Sequence, residues 1–212
     1  MNKIIAKTNI ESIGFKVSSG PKYITWLDVA TGEFHSEESD DMMYPFDISI
    51  TNEDNDNTIG AITGFIVNSD IDFWTMDGVS ADFSEIAAYA LKTNGGFNGK
   101  YAFRKQKDGI TGYSFILIDR FFINEELRSN GIGSIVLKPA LKALIEDVYE
   151  LFDEGPFGIV LCASAYEFLF KDNYDEMSEK LIDFYKRIGF KRIKESRVMY
   201  LTEVAFKKPN KI

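Results

Sequence analysis

From Tyr113 to Ile123 the chain is almost continuously apolar: Phe115, Ile116, Leu117, Ile118, Phe121, Phe122 and Ile123 are interrupted only by Ser114, Asp119 and Arg120. A run of that length predicts a buried strand. A polar link, Asn124 to Leu127, follows, and then Ile132, Ile135, Val136, Leu141, Leu144, Ile145 and Val148 recur at helical spacing to about Leu151. Pro139 lies inside this helix and is expected to kink it. Gly158 to Ala163 is a second buried strand, Leu181 to Ile188 an amphipathic helix closed by Gly189, and Arg197 to Leu201 a last strand.

Upstream the pattern is weaker. Strands are predicted at Ile13 to Val17 and Tyr23 to Val29, and a hairpin joins Phe46–Ile50 to Ile59–Val67 through the polar turn Asn52 to Asn57. The charge run Ser36 to Asp41 reads as a solvated loop or a helix start. Ser80 or Asp82 caps a helix through Phe83, Ile86, Ala87, Tyr89, Ala90 and Leu91, stopped by Asn94-Gly95-Gly96. Gly99 to Phe103 adds a strand before the Asp108-Gly109 turn, and the basic tail Lys207 to Lys211 frays.

Composition narrows the class. A chain of 212 residues, 45% hydrophobic, supports one substantial core, and no apolar stretch is long enough to span a membrane. The N-terminus lacks a secretory pattern, and a single cysteine, Cys162, excludes an intramolecular disulfide, so a cytoplasmic protein is expected. The net charge of -9 is concentrated in residues 1–100, with 16 acidic against 6 basic residues; the remainder has 17 against 18. This balance argues against a nucleic-acid partner and would steer a cationic molecule.

The chemistry suggested by the pattern lies where the Tyr113–Ile123 strand meets its helix, at Arg128-Ser129-Asn130-Gly131-Ile132-Gly133-Ser134. Strand, glycine-containing turn and helix in that order leave backbone N–H groups and the positive end of the helix dipole facing outward, which suits a phosphate. A dinucleotide fingerprint would need glycine where Val136 stands, and the P-loop's Gly-Lys-Ser/Thr is absent. Other chemistries are weaker. Asp54, Asp56 and Thr58 alternate as in a calcium loop, but Ile59 and Phe65 occupy the positions of its glycine and glutamate. His35 has no second ligand nearby, so no metal is expected, and Cys162 reads as a core residue rather than a nucleophile.

The Arg128-x-x-Gly131-x-Gly133 spacing, five residues after the aliphatic Ile123, resembles motif A of the GNAT superfamily of N-acetyltransferases, and Tyr185-x-x-x-Gly189-Phe190 resembles the end of its motif B. The resemblance covers about residues 58–68 and 113–201. It implies an α+β fold with αβα layering: a mixed, mostly antiparallel central sheet, splayed middle strands and helices on both faces. The chain would form a single domain over 1–212, extended by an acidic N-terminal region, about 1–57, and by an insertion at about 70–110. The insertion either covers a rim of the site and selects the acceptor or only extends the core.

The resemblance further implies acetyl-CoA as cofactor and a primary amine as acceptor, on a small molecule or on a peptide or protein, with no membrane partner; a homodimer is compatible with it. Backbone N–H groups of Ser129, Asn130, Gly131, Ile132, Gly133 and Ser134 would take the pyrophosphate, with Arg128 opening the motif. The pantetheine arm would run along Phe121 to Ile123, the Ile123 N–H facing the thioester carbonyl. Tyr185 matches the family's general acid, while Ser178 stands where an arm-binding asparagine is frequent. Asp119, four residues before Ile123, is the candidate base, with Glu126 and Glu167 as weaker ones and an ion pair with a neighbouring cation as its structural role. The alternative is a catalytically inactive GNAT-fold module that binds CoA or a protein partner.

Overall fold

A computed structural model describes residues 13–19, 24–27, 34–37, 43–54, 56–68, 76, 80–90, 114–152, 156 and 158–202. Strand β1 (Ile13–Ser19) pairs antiparallel with β4 (Met43–Asn52), which pairs with β5 (Asn57–Asn68). β5 pairs in turn with β6 (Ser114–Ile123). β6 runs parallel to β7 (Gly158–Cys162), and β7 is followed in the sheet by β9 (Val198–Thr202) and β8 (Lys191–Arg192). Among the described residues this makes one seven-stranded sheet in the order β1-β4-β5-β6-β7-β9-β8, with β6 and β7 its parallel pair. A separate ribbon joins β2 (Ile24–Leu27) to β3 (Phe34–Glu37).

Helix α1 (Ala81–Ala90) buries Phe83, Ile86, Ala87 and Ala90 with Phe115, Leu117, Val160 and Val198. Helices α2 (Ile132–Phe152) and α3 (Tyr174–Ile188) bury Val136, Leu141, Leu144, Ile182 and Tyr185 with Ile62, Ile116, Ile118 and Leu161. Along β6, Phe115 and Leu117 join the first cluster and Ile116 and Ile118 the second, so the two sets lie on opposite faces of the sheet. This is the layered, mostly antiparallel α+β architecture expected. Fully buried aliphatics such as Leu137, Leu141 and Leu144 each contribute about 1.5–3 kcal/mol to it.

The differences from expectation have local causes. The polar segment from Phe34 to Glu37 is a strand rather than a loop, because it pairs with Ile24–Leu27; the rest of that charge run lies outside the described residues. β8 is two residues long and leaves no periodic signature. Ser80, rather than Asp82, caps α1, accepting the Phe83 N–H at 3.2 Å. The predicted strand Gly99 to Phe103, its following turn, the Asn94-Gly95-Gly96 stop and the basic tail also lie outside the described residues.

α1, within the segment expected to be an insertion, extends the core, and it is tied down by a polar network. Glu85 accepts the Arg197 backbone N–H and Nε–H, each at 3.0 Å, and a third bond from the same guanidinium; Arg197 also meets the Tyr174 hydroxyl, which lies 2.8 Å from Ser164 Oγ. Glu85→Ala would leave a half-buried guanidinium and a backbone donor without this partner. A loss on the order of 2 kcal/mol in urea unfolding is expected, and an unchanged midpoint would show that α1 does not depend on the network.

Candidate functional site

At the C-terminal end of β6 the parallel pair opens. Rungs run Ile116↔Ile159, Leu117↔Val160 and Ile118↔Leu161. Beyond Ile118, β6 continues to Ile123, whereas the continuation of β7 is drawn toward β9, the Ala163 N–H donating to the Arg197 carbonyl at 2.9 Å. On its other side β6 stays paired with β5 through Gly60↔Ile123. The Asn124 N–H donates to the Ile59 carbonyl at 2.9 Å, so hydrogen-bonded rungs alternate from there through Phe122 and Arg120. Phe121 and Ile123 therefore turn their N–H and C=O groups away from β5, into the opening.

Beside the opening, a short 3-10 turn, Glu125–Leu127, leads to the loop before α2. Ser129 (φ 62) and Gly131 (φ 78) both take left-handed backbone there. The first turn of α2 holds no acidic residue, so nothing on the helix itself neutralises its N-terminal dipole. One expectation is corrected. The Ser134 N–H is donated to the Gly131 carbonyl at 3.1 Å, because the first turn tightens onto that carbonyl. The outward N–H groups are thus those ahead of it, including Ile132 and Gly133, while the Ser134 side chain remains exposed.

Gly133 carries a clue about what the loop receives. A Cβ there would lie 3.6 Å from the rings of Phe121 and Phe184, an ordinary contact. Packing does not demand this glycine. Without a side chain there, the helix N-terminus is left open to close approach from outside, as a phosphate group would need. The Phe121 and Phe184 rings are stacked at 6.2 Å, so Gly133, the end of β6 and α3 converge on one apolar contact. Phe184 escaped the sequence reading, although its place beside Tyr185 was the available signal.

Tyr185 is 7% exposed and held edge-on by Phe184 and Phe190, at 5.1 and 5.6 Å. Gly189, at φ 118, closes α3 in left-handed backbone and lets the chain turn so that Phe190 reaches Tyr185. Every fully buried polar side-chain atom among the described residues has a hydrogen-bond partner. The Tyr185 hydroxyl makes no hydrogen bond to another described residue. Burial pushes its pKa above the usual phenol value, with Cys162 close enough to add to the shift. The Cys162 thiol is itself raised by burial and by the Asp82 and Glu85 carboxylates, so it is not a thiolate nucleophile.

The carboxylates fare differently. Asp119 is the extra residue of a β-bulge: Gly64 pairs with Ile118 and Thr63 with Arg120, leaving Asp119 without its own rung. Counting four residues back from Ile123 therefore does not fix its direction. Its carboxylate lies 3.5 Å from Arg120 Nε, and burial raises its pKa while Arg120 opposes the rise. Glu167 is taken up in a two-pronged bond from Arg128, which holds its carboxyl below the usual range, and so is a poor base. Glu126 is exposed on the 3-10 turn. Ser178, 3% exposed, accepts the Ala165 N–H at 3.3 Å, which places its hydroxyl inside the junction of α3 with the preceding segment.

Among the described residues no group of three or more His, Cys, Asp or Glu could hold a metal ion, and no helix is long and apolar enough to cross a membrane. Comparison with family profiles gives no match, and comparison with curated proteins gives none either. Solved structures do align. A mutant of KacT is 12% identical over 78% of this chain and 74% of its own, with a TM-score of 0.42. AtaTR bound with acetyl-CoA is 12% identical over 78% and 70%, TM-score 0.39, and a KacTA–DNA complex 12% identical over 91% and 96%, TM-score 0.42.

Proposed function

We propose that this chain is a GNAT-type N-acetyltransferase that moves an acetyl group from acetyl-CoA to a primary amine of a small molecule, peptide or protein. The observation that carries the reading is the opening between β6 and β7 directly beside the unneutralised N-terminus of α2, with the Phe121 and Ile123 backbones turned into it. Acetyl-CoA supplies a thioester carbonyl at which a C–N bond can form as the C–S bond breaks. The N–H groups from Ser129 to Gly133 would hold the pyrophosphate, and the Ile123 N–H would hold the thioester carbonyl oxygen.

Asp119 takes one proton of the incoming ammonium and passes it to solvent; as the C–N bond forms and the C–S bond breaks, Tyr185 gives its proton to the departing sulfur and the nitrogen's second surplus proton restores the phenol, so the products are the amide, the CoA thiol and one proton. For Asp119 the rise makes the carboxylate a stronger proton acceptor; Tyr185 is protonated at neutral pH and so holds a proton to give, although burial makes it a weaker acid. The rate should fall as pH drops through the folded pKa of Asp119.

The test is isothermal titration with acetyl-CoA, comparing the natural protein with Gly133→Ala and with a variant in which Gly131 and Gly133 are both valine. Binding in the micromolar range, about -8 kcal/mol, is expected for the natural protein. Gly133→Ala should weaken it at least tenfold without destabilising the fold, since alanine suits a helix better than glycine by up to about 1 kcal/mol. Absence of binding by the natural protein would remove the enzymatic reading. Binding without acetylation of any amine would favour the inactive module.

A further inference from the structure

Arg128 uses three of its donors within the protein. Its Nε–H donates to the Ile123 carbonyl at 2.7 Å, and its two terminal nitrogens donate to the two Glu167 oxygens at 2.7 and 2.8 Å. Ile123 ends β6, one lip of the opening. Glu167 lies in the 3-10 turn Tyr166–Phe168 between β7 and α3, on the other lip. That turn is itself anchored, because the Phe168 N–H donates to the Ala165 carbonyl at 2.8 Å and the buried Ser178 hydroxyl receives the Ala165 N–H. Hydrogen bonds thus tie the Ile123 carbonyl through Arg128 to the Glu167 carboxylate, and the short turn whose backbone carries Glu167 is tied through Ala165 to Ser178 of α3, the helix that carries Tyr185.

We propose that Arg128 and Glu167 are a positioning pair: Glu167 orients the guanidinium, and the guanidinium fixes the Ile123 peptide and the spacing of the two lips between which the acyl arm lies. The function of that opening rests on the acetyltransferase reading; the fixing of the peptide does not. Three features favour this over a decorative ion pair. The bond is two-pronged, and only a planar fork can hold a carboxylate and a carbonyl in one geometry at once. The pair is exposed, with side chains 39% and 62% accessible, and exposed pairs contribute little to stability, so the fold has little use for it. The bonded carbonyl belongs to the peptide at the end of β6, whose orientation also sets the backbone that faces the opening.

The pair is tested with Glu167→Gln, Arg128→Gln and the double variant, by amide hydrogen exchange without cofactor and by acetyl-CoA titration. Glu167→Gln should speed exchange at residues 121–131 severalfold while leaving β4 and β5 and the melting temperature nearly unchanged. Each single substitution should weaken acetyl-CoA binding by about fivefold, and the double should be no worse than the weaker single, because both cut the same chain. Unchanged exchange at 121–131 in Glu167→Gln would overturn the proposal. So would a double variant whose loss is the product of the singles, since Arg128 would then act on the cofactor independently of Glu167. If the natural protein binds no acetyl-CoA and exchange still responds as expected, the acetyltransferase reading falls and the positioning pair stands.

Discussion

Gly64→Ala is expected to cost about 3 kcal/mol of stability, far more than Gly133→Ala. Gly64 faces the bulge in β6, where Ile118 and Asp119 crowd against a single residue of β5. The bulge drives the Leu117 carbonyl over Gly64, so an added Cβ would overlap that oxygen and also meet the Phe46 ring at 2.9 Å. Backbone cannot yield as a side-chain tip does, and shifting Leu117 would disturb a fully buried residue at the centre of the sheet. Gly60, whose Cβ would come within 2.5 Å of the Phe122 carbonyl, repeats the constraint beside Ile123. Urea unfolding of Gly64→Ala and Gly133→Ala side by side measures the contrast. Equal stabilities would mean that the bulge is not held against β5 as described.

The same bulge explains what sequence could and could not convey. The strand from Ser114 to Ile123, the glycine loop and α2 were legible because each is written in contiguous residues: an apolar run, then two glycines, then a helical period. The topology of the opening was legible only through resemblance, since nothing in Gly158 to Cys162 says that this strand leaves β6 after Leu161. Asp119 shows the limit of periodicity. One inserted residue breaks the alternation from which its direction was inferred, and the compensating glycine stands far away in β5. The Arg128–Glu167 bond was illegible for a related reason: its partners are 39 residues apart and meet only when the crossover through α2 brings the turn after β7 beside the loop after β6. Glu167 therefore looked like a spare carboxylate when it is an engaged one.

Tyr185→Phe is expected to lower acetyl transfer on the order of 10²-fold or more while leaving acetyl-CoA binding and stability nearly unchanged. The hydroxyl has no hydrogen-bond partner among the described residues, so its removal orphans none of them. The ring, packed between Phe184 and Phe190, keeps its contacts in phenylalanine. Loss of the phenolic proton would then appear in kcat alone, because the departing thiolate must be protonated by water. Asp119→Asn differs in its pH profile: without the carboxylate, the rise of rate with pH should move toward the amine's own pKa, about 10. Steady-state kinetics of the two variants from pH 6 to 10, with thermal melts alongside, separates the roles. A Tyr185→Phe enzyme with full kcat would assign the phenol to packing and leave the thiolate to solvent.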